Sequence, residues 1–308
     1  MTNFLQSQEW MNFQGSLGHK VWSIAKGNIK GLVIKYSLPF NESYLYCPYG
    51  PVITHSSVTD SDDFNYFLAK IKKIAESENA IFFRVDPQIN FDFNRFGFKQ
   101  APQNYHFSAT AMPKEVAILD ISTDEKNIFK NMKPKTRYNI RLAEKGEIIT
   151  RQGNSLENLN IFYDLVCKTS LREKIKPHQK ERYQKLLEVF GDKISVFTAF
   201  WQNKPVAGIM VLFFDKTATY LHGGLDANYK NLMAPHLLQW NAICEAKKRG
   251  CLEYDFGGVS LEKNHQWAGV TRFKLGFGAK AVTYPGAYDL IFQPMWYGIY
   301  NLVRKFRN

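Results

Sequence analysis

Apolar residues recur along the chain at two spacings, every second residue in short runs and every third or fourth residue in longer ones. The first spacing is typical of strands and the second of helices. Residues 80–85 form a buried-strand run that ends at Asp86-Pro87. Helices are predicted at 4–14, 62–77, 159–171 and 181–190, and strands at 21–25, 30–36, 43–49, 80–85, 116–119, 194–201, 206–214 and 217–223.

The order of elements in the first half is repeated in the second half, which begins near residue 148. Each half is a run of strands with one or two helices, which favours an α+β architecture. A chain of 308 residues is also long enough for two domains of ordinary size. We therefore predict a duplicated fold, although no residue-level repeat marks it.

The most informative stretch runs from residue 235 to residue 278. A helix is predicted from Pro235, because the apolar residues after it follow a 3.6-residue period. Residues 252–256 alternate as a short strand, and Gly257-Gly258 after it allows a sharp turn. Strand ends often carry the chemistry of α/β proteins, and three polar side chains can converge at this one: Tyr254, Asp255 and Lys274.

Residues 123–145 are predicted to be helical and are strongly basic. Pro134 interrupts the pattern, so two helical pieces are expected. Positive charges four residues apart can follow a line of phosphates. The residues that would contact tRNA or another phosphate-rich ligand are Lys133, Lys135, Arg137, Arg141 and Lys145. An ordinary solvated helix face is the alternative interpretation.

The formal net charge of +12 adds to this picture. Such an excess fits a polyanionic partner, which could be tRNA, a nucleotide-diphosphate precursor or an anionic membrane surface. Simple solubility would account for the charge equally well, so the charge alone does not decide between these interpretations.

The four cysteines, at positions 47, 167, 244 and 251, are scattered and form no C-x-x-C pair. They indicate a reducing compartment, with neither a zinc site nor a disulfide framework. The first residues lack the pattern of a signal peptide, and no apolar run approaches the ~20 residues of a membrane-spanning helix. We therefore expect a cytoplasmic protein without a metal.

Two blocks in the stretch 235–278 resemble a known family. The sequences Tyr-Asp-Phe-Gly-Gly at 254–258 and Gly-Val-Thr-Arg-Phe-Lys-Leu-Gly-Phe-Gly at 269–278 are similar to the C-terminal half of the Fem family, the peptidoglycan-bridge aminoacyltransferases FemA, FemB and FemX. Further segments that resemble the family are residues 132–141, 49–51 and 84–87. The resemblance therefore touches most of the chain.

The resemblance implies an α+β fold of two tandem GNAT-like domains, whose mixed sheets are flanked by helices. The first domain is expected at 1–145 and is completed by the tail 288–308, and the second is expected at 146–287. The chain would be a short form of the family, because no segment shows the charged heptads of the long coiled-coil arm of FemA-type members.

The resemblance also implies a reaction. An amino acid would pass from aminoacyl-tRNA to a stem-peptide amine of a peptidoglycan precursor, either lipid II or UDP-MurNAc-pentapeptide. The ester already stores the driving force, so no cofactor is expected. Positioning and charge stabilisation could then supply most of the rate.

Five residues are candidates for the transfer site. Lys274 is the first choice for the cation near the developing oxyanion or a substrate carboxylate, with an exposed strand lysine as the alternative. Asp86 is the candidate base or amine-binding group, since the family has an acidic residue near the acceptor, and Arg84 is its expected ion-pair partner or a phosphate ligand. The resemblance implies that Tyr254 binds the precursor, whereas a buried aromatic is the alternative. Asp255 is included among the substrate-binding residues, although we expect it to shape the glycine turn rather than act as the base.

Two positions depart from FemX-type enzymes. Asn12 and Gln14 stand in the region where those enzymes have a lysine for the precursor phosphate. His178 stands near the position of a second-domain arginine, with Arg172 and Arg182 close by, so these three residues are also candidates for substrate binding. The departures weaken the case for the nucleotide-linked precursor and leave the lipid-linked one open.

The tail after Tyr284 is apolar and aromatic and carries Arg-Lys-Phe-Arg at 304–307. Packing against the first domain is the favoured interpretation. Contact with the inner membrane surface is the other one, because Trp and Tyr with flanking cations suit an interface, and both could hold.

Two other functions compete with aminoacyl transfer. An acyltransferase that uses acyl-CoA should have a glycine-rich loop with free backbone N–H groups before a helix. The matching residues 231–236 contain no glycine, and their proline removes a donor, which argues against CoA. A non-catalytic RNA-binding protein ranks last, because no RNA-binding motif is present.

Overall fold

The computed structural model describes residues 3–54, 61–102 and 111–307. The chain divides into two compact units. We call Glu115–Val282 the middle unit, and we call Thr2–Lys114 together with Thr283–Asn308 the split unit.

Fourteen strands lie within the described residues. They are β1 (Val21–Lys26), β2 (Ile29–Ser37), β3 (Ser43–Cys47), β4 (Val52–Ile53), β5 (Ala80–Val85), β6 (Lys99–Gln100), β7 (Glu115–Asp120), β8 (Ile149–Gly153), β9 (Ile194–Trp201), β10 (Lys204–Phe214), β11 (Thr217–Leu225), β12 (Glu253–Gly258), β13 (Lys280–Thr283) and β14 (Tyr288–Ile291).

Nine α-helices lie within the same residues. They are α1 (Gln8–Ser16), α2 (Ser61–Ser77), α3 (Glu125–Asn131), α4 (Pro134–Lys145), α5 (Leu156–Arg172), α6 (Lys180–Phe190), α7 (Ala234–Lys248), α8 (Ala268–Gly276) and α9 (Pro294–Arg307). Short 3-10 helices occupy Phe4–Gln6, Phe93–Phe96, Gly191–Lys193 and Ala227–Leu232. The predicted break at Pro134 is confirmed, since α3 ends before it and α4 begins at it.

The split unit is built on a mixed sheet in the order β1-β2-β3-β5-β14-β6, with β4 also paired to β2. Strands β3 and β5 run parallel, and α2 connects β4 to β5. All six residues of β5 are buried, as expected for a run of apolar residues covered on both faces. The tail contributes β14, which pairs antiparallel with β5. Helix α2 packs its apolar side, including Phe64, Phe67 and Ile71, into the core.

The middle unit is built on a second mixed sheet in the order β13-β7-β12-β11-β10-β9-β8. Strands β11 and β12 are joined by α7 and run parallel, and their register covers 217–219 on one strand and 253–255 on the other. Beyond this register β12 continues against β7, where Gly258 pairs with Val116. The pairing of the two parallel strands therefore stops before Gly257 and Gly258.

The division between the units falls earlier than the predicted boundary at 145. Residues 115–145 belong to the middle unit because β7 pairs with β12 inside its sheet. Helix α3, the residue after it and helix α4 place Ile128, Met132 and Ile140 in the core of that unit. Burial of this apolar surface ties the segment to the residues after it in the chain rather than to the residues before it.

In the part of the chain that the structure describes, the longest helices, α2 and α5, have 17 residues each. None of the described helices combines the length and the apolar character that crossing a bilayer would require.

Candidate active site

Lys274 lies on helix α8 rather than on an exposed strand. Its side chain is 8% exposed, and its ammonium Nζ donates to the carbonyl oxygen of Gly258 at 2.7 Å. Gly257 has a φ of +73°, a conformation that favours glycine. The glycine pair after β12 therefore turns a backbone carbonyl towards the lysine at the point where β11 and β12 part.

Asp255 shapes this turn, as expected, because its Oδ1 accepts a hydrogen bond from the backbone N–H of Gly257 at 2.7 Å. Burial raises the pKa of the Asp255 carboxyl to about 6, against the lowering effects of the Gly257 N–H and the Lys274 charge. Burial likewise lowers the pKa of Lys274 to about 8, and the Asp255 charge opposes this. Two of the three predicted side chains, a buried lysine and a half-buried aspartate, are therefore near enough for each charge to shift the pKa of the other.

The third member, Tyr254, does not join them. It is fully buried, and its hydroxyl donates to Oε1 of Gln239 on α7 at 2.7 Å. Burial raises the pKa of Tyr254 well above its ordinary value. The structure agrees with the alternative interpretation, a buried aromatic, and contact between Tyr254 and the precursor stays a prediction.

Asp86 follows β5 in the split unit and is 4% exposed. Its Oδ2 accepts hydrogen bonds from the hydroxyl of Tyr46 and from the backbone N–H of Met112, the latter at 3.0 Å. Its Oδ1 is buried and has no hydrogen-bond partner within the described ranges. Burial raises the pKa of the Asp86 carboxyl to about 6, opposed by the Tyr46 and Met112 hydrogen bonds. A buried acceptor without a donor is suited to receive one from a ligand.

Arg84 has a different partner from the one predicted. Its guanidinium forms a two-point pair with Asp289 on β14, in which Nε and one Nη donate to the two carboxylate oxygens at 2.7 Å each. Both side chains are completely buried. The Arg84 charge also lowers the pKa of Asp86, so an electrostatic link between the two exists beside the Asp289 pair, and the role of Arg84 as a phosphate ligand stays a prediction.

His178 and Arg182 lie near the C-terminal part of β11 in the middle unit, beyond the residues of β11 that pair with β12. The ring of His222 lies 5.8 Å from the ring of His178 and 5.0 Å from the ring of Tyr183. Burial lowers the pKa of His222 to about 3, assisted by His178 and Arg182. Arg172 lies on the surface, where its Nε pairs with Glu173 at 2.8 Å and one Nη donates to the carbonyl oxygen of Leu225, the last residue of β11, at 3.5 Å.

Four of the five predicted phosphate-binding residues are exposed on or next to α4, namely Lys133, Lys135, Arg141 and Lys145. Arg137 differs from them. It donates to the carbonyl oxygens of Lys130, at 2.9 Å, and Met132, and so satisfies the end of α3. The basic face therefore exists as predicted, but one of its members has a structural role.

Sequence reasoning missed several residues that complete these arrangements. Asp289, Tyr46 and His222 hold or neighbour the predicted side chains from distant parts of the sequence, and Gln239 lies 15 residues from Tyr254. Asp289 offered one signal, since an acidic residue inside an apolar run requires a buried partner. Within the described residues no cluster of His, Cys, Asp and Glu could hold a metal ion.

Comparison with known proteins decides the family. The model of the FemAB family matches residues 88–203 and 200–305. The chain belongs to the FemAB family. The resemblance found in the sequence is therefore confirmed, and it extends well beyond the motifs that carried it.

Relatives of this FemAB-family chain are distant in sequence. The aminoacyltransferase FemA of Staphylococcus epidermidis is 25% identical over 59% of this chain and 46% of its own length, so the chain spans about half of that relative. The lipid II:glycine glycyltransferase of Staphylococcus haemolyticus is 21% identical over 88% of this chain and 83% of its own length.

The crystal structure of FemX matches the fold of this FemAB-family chain with a TM-score of 0.83. The match covers 96% of this chain and 94% of FemX at 17% identity. The predicted fold class, two tandem GNAT-like domains with mixed sheets flanked by helices, is confirmed.

Proposed function

We propose that this protein transfers an amino acid from aminoacyl-tRNA to a stem-peptide amine of a peptidoglycan precursor. The match to the FemAB family over residues 88–305 carries this proposal. Relatives named as an aminoacyltransferase and a glycyltransferase support the reaction class, and the name of the second supports a lipid-linked acceptor.

In this reaction the acceptor nitrogen attacks the carbonyl carbon of the ester, and the bond from that carbon to the ribose oxygen breaks. An amide forms, and a proton passes from the amine to the ribose hydroxyl. Negative charge develops on the carbonyl oxygen at the tetrahedral stage, so a fixed cation in a dry site stabilises it. We assign this role to Lys274, whose buried amine is held by the carbonyl of Gly258.

We assign Asp86 to the acceptor amine. Its buried Oδ1 is without a donor within the described ranges, and the raised pKa of about 6 makes the carboxylate a better base than an ordinary aspartate. Near neutral pH the group is still ionised, so it can bind the ammonium form of the acceptor and then take its proton. Arg182 and His178 remain proposed contacts of the precursor.

The exposed cations of α4 are our proposed contact with tRNA. Lys135 and Lys145 are exposed, with Nζ of Lys135 4.8 Å from the centroid of the Tyr138 ring, and exposed charges of this kind can contact phosphates. We further propose that the reaction takes place on the cytoplasmic side of the membrane, where charged tRNA is available.

The acyl-CoA alternative finds little support at the start of α7. Met233 precedes the helix with a φ of 55°, and no side chain caps the helix. Pro235 occupies the first turn, so one backbone donor is missing from the place where GNAT enzymes hold a pyrophosphate.

The proposed function is tested by incubating the protein with a pool of charged tRNA and with lipid-linked or nucleotide-linked precursor. We expect the acceptor to gain the mass of one amino-acid residue. The same reaction with acetyl-CoA instead of tRNA is the comparison. Acetyl transfer without any aminoacyl transfer would overturn the proposal in favour of an acyl-CoA enzyme.

A further inference from the structure

Helix α9 is apolar on both of its sides. One side packs into the split unit, where Trp296, Tyr297 and Tyr300 lie against a cluster of buried aromatic and aliphatic residues. Tyr297 also donates to Asp289 at 2.7 Å, which fixes the helix to β14. This inner side accounts for the attachment of the helix to the protein.

The outer side of α9 carries aliphatic side chains in the open. Met295 is 71% exposed, Ile299 43%, Leu302 57% and Val303 48%, and the spacing of these residues places them in one stripe. Phe40, 81% exposed, lies next to the helix with its ring 5.8 Å from that of Trp296. We call these five residues the α9 apolar face.

The charges of the helix are all at one end. No charged residue occurs from Pro294 to Val303, and Arg304, Lys305 and Arg307 follow within the last turn. Arg304 stacks on Tyr300, with its guanidinium 5.4 Å from the ring centroid, and Lys305 is exposed. The pattern is an aliphatic stripe that ends in a cationic cap.

We propose that the α9 apolar face inserts into the surface of a membrane that contains anionic lipid. A helix that is apolar on both sides requires a second apolar environment for its outer side. Lipid fits better than a protein partner, because the stripe offers no acid or hydrogen-bonding group for specific pairing and the cap suits anionic headgroups. Fourteen residues span about 21 Å, less than the ~30 Å of a bilayer core, so the helix lies in the interface rather than crossing it.

The α9 apolar face is a feature of the fold, and only its use depends on the proposed function. An enzyme that acts on a lipid-linked acceptor gains from a contact that keeps it beside the membrane, since both reactants are then held near one plane. A water-soluble acceptor needs no such contact.

Vesicle flotation of the full chain tests the proposal. We expect the protein to float with vesicles of phosphatidylcholine and phosphatidylglycerol and to float much less with phosphatidylcholine alone. The double variant Ile299→Ser, Leu302→Ser should bind at least about tenfold less, because two aliphatic side chains no longer enter the lipid. Ile149→Ser, which changes an exposed aliphatic residue of β8 in the middle unit, is the matched control and should bind as the wild type does.

Three results would overturn the proposal. The first is failure of the wild type to float with either vesicle, and the second is equal flotation of the wild type and the double variant. The third is a wild-type dimer in size-exclusion chromatography that becomes a monomer in the double variant, because the α9 apolar face would then bind a second copy of the chain. The altered positions are exposed, so the melting temperature should stay at the wild-type value and confirm the fold.

The transfer assay separates this proposal from the function. With a water-soluble stem-peptide acceptor the double variant should keep the wild-type rate, and with lipid-linked acceptor in vesicles it should be slower. If the protein transfers nothing to either acceptor but floats normally, the proposed function is rejected and the proposed membrane contact of α9 is kept.

Discussion

Burial shifts the proton affinity of three ionisable side chains that we assign to the chemistry or its support. The pKa of Lys274 is lowered to about 8, and the pKa values of Asp86 and Asp255 are raised to about 6. Between these values the lysine is charged and both carboxylates are ionised. The structure therefore supports a window of activity near neutral pH, bounded by different residues on each side.

The alkaline limit should belong to Lys274. As the pH rises through about 8 the ammonium loses its proton, so the rate of transfer should fall even though the acceptor amine becomes a better nucleophile. Replacing the residue, Lys274→Met, should lower the rate roughly 100-fold or more and remove this descending limb. The measurement is the rate against pH for both proteins. Lys280→Met in β13 is the control, and a Lys274→Met variant with the wild-type rate would contradict the assignment.

Replacing the Asp86 carboxylate with an amide should increase the stability of the protein near neutral pH and decrease its activity. Its pKa is raised from 3.8 to about 6, so the folded protein holds a proton that the unfolded chain has already released, and stability falls as the pH rises between these values. Near pH 7 the ionised carboxylate costs the folded state about 3 kcal/mol. Asp86→Asn should therefore raise the free energy of unfolding near neutral pH, leave it almost unchanged near pH 4, and reduce transfer roughly 100-fold or more.

Urea unfolding at the two pH values measures the first effect, and the transfer assay measures the second. The exposed Asp92→Asn in the same unit is the control and should change neither. Equal free energies of unfolding of the Asp86→Asn variant and the wild type near neutral pH would show that burial of the ionised carboxylate does not destabilise the folded protein.

The predictability of these residues depended on whether their partners were near in sequence. Asp255 and the glycine turn are adjacent, so the local pattern was enough to predict their contact. Arg84 and Asp289 are 205 residues apart, and neither residue alone indicates the other. The burial of Tyr254 does not follow from its place near a strand end, because its hydrogen-bond partner Gln239 lies on α7.

At the scale of elements, long amphipathic helices and buried strands could be predicted, but α8 and β14 could not. Helix α8 has nine residues and includes Gly269 and Gly276, which are poor helix formers. Tertiary packing decides its structure, since a Cβ on Gly276 would come within 2.5 Å of the Thr136 hydroxyl on α4. Strand β14 has only four residues, and its place in the sheet depends on β5, far away in the chain.

The basic face of α4 leads to a prediction about salt. Lys135→Gln and Lys145→Gln should each weaken tRNA binding and reduce the slope of log affinity against log salt by roughly one, because each would release one phosphate contact. The measurement is tRNA affinity over a series of salt concentrations. Lys204→Gln, exposed on β10, should leave both affinity and slope unchanged.

Arg137 should behave differently from its neighbours on that helix. Arg137→Gln removes hydrogen bonds to the carbonyls of Lys130 and Met132, so it should also lower the free energy of unfolding, by about 1–3 kcal/mol. A loss of tRNA affinity at unchanged stability would show that the arginine serves the ligand rather than the end of α3.

At the scale of the whole molecule, the position of the unit boundary can be tested with fragments. Residues 115–282 include β7 and the core side chains Ile128, Met132 and Ile140, and this fragment should unfold cooperatively. A fragment of 146–287, which starts at the sequence-based boundary, lacks an interior strand and should not. Circular dichroism during thermal melting distinguishes the two, and cooperative melting of the shorter fragment would contradict the division.

Strand β14 has a consequence for how the protein is made. It lies between β5 and β6, and its Asp289 neutralises the buried Arg84. While the ribosome is still translating the middle unit, the N-terminal segment of the split unit has neither its inner strand β14 nor Asp289, the two-point partner of Arg84. The sheet of the split unit therefore stays incomplete while well over half of the chain is synthesised. A chaperone would protect the nascent chain most during this interval.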